Sequence, residues 1–449
     1  MAQVRPFQSV TSEEQLVDLG ERLARTRFAP ALSGEDWTHG TPPGYLAELV
    51  TYWCTSFDWL AAEKRLNEMP QFLASFDDTT LHFVHAKGVG PRPLPLLFSH
   101  GWPGSFFEVH KILGPLTDPA AHGGDPADAF TVVAPSLPGF GFSPHPGTSG
   151  INPTAIAGLF HRLMTEVLGY SRYGAQGGDF GAQITSRIGR DHASSVIGIH
   201  LNLMGATPVV SSPVTSVEQK FLDQASEFFS AQGAYAQIQG TRPATLGAGL
   251  SDSPAGLAAW IVEKFRAWSD CGGDVESVFS KDELLTDITL YWLTNSITTS
   301  ARLYYETMHT EGMLGRHTPG YVSVPTGFAA FAHDNFVPPR SWVERAYNLQ
   351  RFTAFPRGGH FAALERPDDL VTEIREFFRP LRTDPRDFLG RFRRRSVGQA
   401  TAAANPTDFV TATVRAAPKN AAPVSIQPHE PGNRRSSARP PLGRGRLPG

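Results

Sequence analysis

Tyr173-Gly174-Ala175-Gln176-Gly177-Gly178-Asp179-Phe180-Gly181-Ala182-Gln183-Ile184 runs from a short strand-like segment through a glycine cluster into a helical pattern. One acid, Asp179, sits at the turn, with Gly177 and Gly181 two residues away on either side. This spacing reads as a sharp strand-to-helix elbow with aspartate at its apex. Small flanking residues suit an elbow because its backbone segments approach too closely for side chains. The turn lifts the apical side chain out of a sheet, and the new helix offers unpaired backbone N–H groups beside it. A carboxylate held there can act as a nucleophile. An ordinary glycine-rich turn, with aspartate capping the next helix, would use the same residues without any chemistry. The rest of the chain has to decide between the two.

On both sides of the elbow the pattern alternates strand and helix, which argues an α/β class with a mostly parallel sheet. Strands are expected at residues 81–85, 94–98 and 130–134, in the elbow strand, and at 195–201. The rhythm then breaks. Residues 205–315 read as helical, with one helix over 256–268 and a longer one from 283 to about 308. A helical insertion there is placed to roof the carboxyl ends of the strands, where open α/β sheets bind ligands. The sheet resumes at 321–324 and 350–355, and a last helix follows Pro367. Residues 1–78 read as a helical lead segment: a helix opened by the capping pattern at Thr11-Ser12-Glu13-Glu14, then one stretch over 44–66. Neither helix can bury its apolar face alone, so the segment is expected to pack on the main domain. The core itself is expected over 79–204 and 316–381.

Composition bounds the remaining choices. The chain has 449 residues, 41% of them hydrophobic, and a net charge of −3, which gives no hint of a nucleic-acid or membrane partner. Cys54 and Cys271 lie far apart without metal-type spacing, so no disulfide framework and no metal site are expected. The N-terminus has no apolar signal region, and no apolar run reaches the ~18 residues of a membrane span. These features lead to the expectation of a cytoplasmic protein; a homodimer is compatible with them. Residues 382–449 carry 13 Lys+Arg against 4 Asp+Glu and are rich in Pro, Ala, Arg and Gly. Such a tail is expected to be disordered, and its basic cluster over 391–395 needs no specific partner.

An aspartate nucleophile forms an ester, which needs water and a base to clear it. The base is normally a histidine oriented by a carboxylate, and the elbow arrangement has the chain order nucleophile, acid, histidine. Of 15 histidines, His360 in Arg357-Gly358-Gly359-His360-Phe361 lies just past the last expected strand. Asp334 in His333-Asp334-Asn335 follows the strand before it. His100-Gly101-Trp102-Pro103 follows the strand from which a second oxyanion donor arises. The backbone N–H groups of Trp102 and Phe180 are therefore the expected oxyanion donors, Pro103 having none to give. His100 is assigned no chemistry.

These stretches together resemble the microsomal-type epoxide hydrolases of the α/β-hydrolase fold. The resemblance includes their N-terminal segment, through Tyr52-Trp53, Phe57-Asp58-Trp59 and Phe83-Val84-His85. It continues through His100-Gly101-Trp102-Pro103-Gly104-Ser105, Gly177-Gly178-Asp179-Phe180-Gly181 and Gly358-Gly359-His360-Phe361-Ala362-Ala363. It spans roughly residues 7–380 and leaves out the tail. It implies a helical lid inserted after the sixth strand, and an epoxide and water as substrates, with no cofactor. It also implies two lid tyrosines that hold the epoxide oxygen. Tyr235 matches the first; Tyr305 in Arg302-Leu303-Tyr304-Tyr305-Glu306 matches the second, with Tyr304 as the neighbouring register. Mammalian members of that family carry an N-terminal membrane anchor, which this sequence is expected to lack. A haloalkane dehalogenase shares the aspartate nucleophile but wants an indole N–H directly after it, where Phe180 stands. A non-catalytic binding protein of the same fold is the other alternative, against which the ordered Asp179, Asp334 and His360 argue.

Overall fold

The computed structural model describes residues 3–382, apart from 31, 33, 35, 77–78, 209–211 and 311–319. The basic tail from residue 383 onward, expected to be disordered, lies outside the described residues.

The chain opens with β1 (Gln3–Phe7), α1 (Glu13–Ala24), α2 (Pro43–Thr55) and α3 (Trp59–Glu68). Then come β2 (Gln71–Phe76), β3 (Thr79–Ala86), β4 (Leu94–Ser99), α4 (Leu113–Thr117) and β5 (Phe130–Pro135). α5 (Pro153–Arg162), β6 (Tyr173–Gly177), α6 (Asp179–Asp191) and β7 (Val196–Leu201) complete the first half. Between β7 and the next strand the described residues form helices only. These are α7 (Ser216–Gln232), α8 (Ala234–Thr241), α9 (Pro243–Leu250), α10 (Pro254–Trp268), α11 (Lys281–Leu293) and α12 (Ile297–Thr310). β8 (Val322–Phe331), α13 (Arg340–Glu344), β9 (Tyr347–Phe355), α14 (Ala362–Glu365) and α15 (Pro367–Phe378) close the described chain.

Among the described residues nine strands form one sheet in the order β1-β2-β3-β5-β4-β6-β7-β8-β9. β4 to β9 run parallel to one another, while β1, β2 and β3 are joined antiparallel, β3 also to β5. β5 is buried along its whole length, as its unbroken apolar run requires of a strand covered on both faces. Register places the strand ends. Ser99 pairs with Gly177, so the loops leaving β4 and β6 emerge side by side. Phe331 pairs with Phe355, which does the same for the loops leaving β8 and β9.

Three expectations are corrected. The lead segment is not purely helical: β1 and β2 belong to the sheet, so the helical insertion follows the seventh strand, not the sixth. Pro6 is tolerated in β1 because that strand is the sheet edge. The stretch 44–66 is two helices, since Asp58 accepts from the Ala61 N–H and starts α3 afresh. The long lid helix is likewise two, parted at Asn295, which takes the left-handed φ of 49°. The lead segment also ties to the inserted helices. Tyr52 donates to Asp282 at 2.9 Å and the Thr41 hydroxyl to the Ala259 carbonyl at 2.8 Å.

The elbow itself demands glycine. A Cβ on Gly181 would lie 1.9 Å from the Ser99 carbonyl oxygen, and one on Gly177 2.2 Å from the Gly181 carbonyl oxygen. Both neighbours are backbone and cannot step aside. Gly181→Ala is therefore expected to cost at least ~1–3 kcal/mol, the range for overpacking a dense interior. Gly158→Ala, in the helix α5 with open space around it, should cost nothing. Chemical denaturation of the two variants checks this, and equal stability would contradict it.

Candidate active site

Asp179 begins α6 with a φ of 49°, a left-handed conformation uncommon for a residue with a Cβ. The turn swings its carboxylate across the loop leaving β4. The Trp102 backbone N–H donates to Asp179 Oδ1 at 2.9 Å. Gly101 leaves room for this approach, since a Cβ there would sit 2.3 Å from the same oxygen. The Phe180 amide belongs to the first turn of α6, whose N–H groups have no acceptor within the helix.

His360 stands on the loop after β9, and its own N–H donates to the Trp268 carbonyl at the end of α10 at 2.8 Å. Its Nδ1 lies 2.8 Å from Asp334 Oδ1, and its Nε2 lies 3.2 Å from Asp179 Oδ2. The three residues predicted in the order acid nucleophile, acid, histidine are thus within hydrogen-bonding reach in series. Burial works against a charged imidazole here. The Asp334 and Asp179 carboxylates outweigh it and hold His360 well above its ordinary pKa. His100 takes a different part. Its Nε2 accepts from the Leu137 N–H at 3.1 Å and its Nδ1 meets the Gly101 carbonyl at 3.0 Å. Burial depresses its pKa to about 4, so it is a neutral brace for the loop carrying Trp102.

The lid supplies two phenols, and the register differs from expectation. Tyr304 is buried, with its ring 4.8 Å from Phe180 and 5.7 Å from Trp102, centroid to centroid. Tyr235 stacks on Trp102 at 5.6 Å and meets Tyr304 at 5.8 Å. Tyr305 points the other way: it is 37% exposed and stacks on His309 at 4.0 Å. One residue turns a helix by about 100°, so adjacent tyrosines cannot share a face. On α12 the buried face runs Ile297, Ser300, Tyr304, Thr307, and Tyr305 falls among the polar positions. That helical spacing was present in the sequence and would have chosen Tyr304. Burial and the Asp179 charge push both phenols up, so both remain protonated.

A cavity of about 40 Å³ opens between Asp179, Tyr235, Tyr304 and His360, with Phe229 and Phe336 among its apolar walls. A larger cleft of about 470 Å³ lies elsewhere, between α3 and α11. Its Glu283 pairs with His110 and with Lys111, and it holds none of the residues above. Among the described residues no cluster of His, Cys, Asp or Glu is arranged to hold a metal. No described helix is long and apolar enough to cross a membrane.

Residues 96–374 match the Alpha/beta hydrolase family and residues 4–109 match the family described as Epoxide hydrolase N terminus. A protein of Stigmatella aurantiaca that carries an epoxide hydrolase name is 42% identical over 382 residues, spanning 84% of this chain and 86% of that protein. The chain belongs to the epoxide hydrolase family. Epoxide hydrolase 1 of Oryctolagus cuniculus is 38% identical over 402 residues, covering 83% of this chain and 88% of its own length. The solved structure of the Aspergillus niger epoxide hydrolase is similar with a TM-score of 0.74 at 31% identity, covering 84% of this chain and 97% of that one.

The two lid tyrosines are separable by mutation. Tyr304→Phe is expected to lower kcat/KM on an epoxide at least ~10-fold, given that single buried donors to a developing oxyanion contribute ~10²–10³. Tyr305→Phe should stay within ~2-fold of the unaltered enzyme, an exposed hydroxyl adding little. The reverse ranking, read from steady-state rates, would contradict the register seen here.

Proposed function

We propose that the protein converts an apolar epoxide to a vicinal diol through a covalent ester on Asp179. The observation that carries this reading is one carboxylate with Oδ1 on the Trp102 amide and Oδ2 against His360, beneath two phenols. With Oδ1 engaged, Oδ2 is the oxygen left to attack a ring carbon. The bond from Oδ2 to carbon forms as the ring C–O bond breaks, and the departing alkoxide takes a proton from Tyr235 or Tyr304. An alkoxide is a stronger base than a phenolate, so even phenols of raised pKa deliver it.

Esterification removes the negative charge on Asp179. His360 then loses one of the two carboxylates that stabilise its cation and becomes a better base. Its proton is the one that restores the phenol, so the count closes at neutral imidazole. Asp334 keeps the ring oriented through Nδ1, leaving Nε2 to take a proton from water. That water attacks Asp179 Cγ, and the Trp102 and Phe180 amides stabilise the oxyanion. The diol departs when the Cγ–O bond to the alkyl group breaks, its oxygen receiving the proton from His360, and the proton left on the regenerated Asp179 carboxyl passes to His360, restoring the carboxylate and the imidazolium. No metal or organic cofactor takes part in this scheme. Phe180, Leu203, Phe229 and Phe336 beside the carboxylate favour an apolar substituent on the epoxide.

His360→Gln tests the division of labour. Ring opening should persist, while ester hydrolysis falls by ~10²–10⁴, the usual contribution of a general base. Intact-protein mass spectrometry after mixing with styrene oxide should show the protein gain one substrate mass. A variant that loses turnover without gaining mass would contradict the covalent step.

A further inference from the structure

Asp179 and His360 border a second chamber, on the side of β4 and β6. It holds about 20 Å³, room for one water by the usual threshold of ~10–15 Å³. Phe98, Trp102, Phe361 and Leu370 give this chamber apolar walls, but besides Asp179 and His360 it also presents the polar side chains of Glu108, Gln176 and Asn202, beside Gly101 and Gly178. Gln176 is 1% exposed; its Nε2 donates to Asn202 Oδ1 at 3.0 Å, while its Oε1 has no partner. A buried amide oxygen left without a donor marks a place where water is held.

Glu108 is the acid the reaction scheme leaves unused. It sits on the short 3₁₀ helix Phe106–Lys111 after the β4 loop, with the Gly101 N–H directed at its carboxyl. It packs so tightly under that loop that a Cβ on Gly104 would fall 1.8 Å from its Oε1. The ionisable groups around it are Asp179, His360, Asp287 and Tyr291. Asp287 accepts from the Ser105 hydroxyl at 2.6 Å, and Tyr291 donates to the Gly104 carbonyl at 2.8 Å. Three carboxyls therefore share one small region with one imidazole. Burial, with Asp287 adding to it, pushes Glu108 up to about 8, so it is a neutral acid at pH 7.

We propose that this chamber receives the water that hydrolyses the Asp179 ester, and that Glu108 is a positioning residue for it. The water gives one O–H to His360 Nε2 and the other to the carbonyl oxygen of Glu108 or Gln176. Its oxygen then faces Asp179 Cγ from the side opposite the lid phenols. On attack, the new O–Cγ bond forms and the proton passes to His360. The charge moves to Oδ1 on the Trp102 amide, and cleavage of the Cγ–O(alkyl) bond releases the diol. Keeping Glu108 neutral matters because a second anion would hold the imidazole protonated. The arrangement separates the two reagents: epoxide on the lid side, water on the sheet side.

This inference rests on the covalent reaction proposed above, so the test reads both half-reactions separately. Enzyme in excess is mixed with styrene oxide, quenched at intervals, and weighed intact. The rise of adduct gives ring opening and its decay gives hydrolysis. For Glu108→Leu, hydrolysis should slow ~10–100-fold with ring opening within ~3-fold of normal, because only the water loses its alignment. Glu108→Gln, neutral and able to accept, should restore hydrolysis to within ~5-fold. Gln176→Leu, on another wall of the chamber, should give the same split and serves if the Glu108→Leu protein does not fold. A neutral role has a second signature. The unfolded carboxyl ionises near 4.5 and the folded one near 8, so the wild type loses stability as pH rises between them. Glu108→Gln should lack that loss, its Tm advantage growing from pH 5 to pH 8. Equal hydrolysis in all variants, or equal slowing of both half-reactions, overturns the water site. Absence of any adduct in both the wild type and His360→Gln overturns the covalent reaction instead.

Discussion

The contact between the Trp102 amide and the Asp179 carboxylate holds the candidate site together. It exists because two loops, leaving neighbouring parallel strands, are brought within reach by the Ser99–Gly177 pairing. It also needs a backbone turned through a left-handed residue, and glycines wherever that turn meets the adjacent loop. The cost of the unusual φ, of order 1–3 kcal/mol for such conformations, is tolerable because the surrounding sheet and helix overdetermine it. The same contact engages one carboxylate oxygen and leaves the other facing His360.

Charge is arranged around that contact with little to spare. His360 lies between two carboxylates and is held as a cation. The next two acids, Glu108 and Asp287, are pushed up by burial to about 8 and about 7. Burial therefore works against further anions beside Asp179, more strongly at Glu108 than at Asp287. In the reaction proposed above, forming the ester would remove one charge and so turn the histidine from a counter-ion into a base. The inserted helices contribute neutral phenols, whose protons are available at any working pH.

Much of this was legible in the sequence because strand ends leave strong marks. Gly177-Gly178-Asp179-Phe180-Gly181, His100-Gly101-Trp102-Pro103 and Gly358-Gly359-His360 each join a glycine requirement to a reactive or polar group. What was hidden depends on contacts between distant segments. β1 carries a proline and exposed residues, so nothing in it reads as a strand until β2 lies alongside. The choice between Tyr304 and Tyr305 is a rotation of one residue, to which motif matching is blind, although the helical spacing of the apolar positions of α12 already favours Tyr304, as its buried face shows. Glu108, between two phenylalanines and a valine, looks like an ordinary surface acid on a short helix. Its place beside the chamber arises from the fold around Gly104, which periodicity does not encode.

The most direct test of the account is the origin of the diol's new oxygen. A single turnover of styrene oxide with enzyme in excess is run in heavy-oxygen water, and the diol and the peptide containing Asp179 are both weighed. If Asp179 is the nucleophile, the first diol carries no heavy oxygen and the label appears in the Asp179 side chain. Heavy oxygen in the first diol, with Asp179 unlabelled, would mean that water attacks the ring directly.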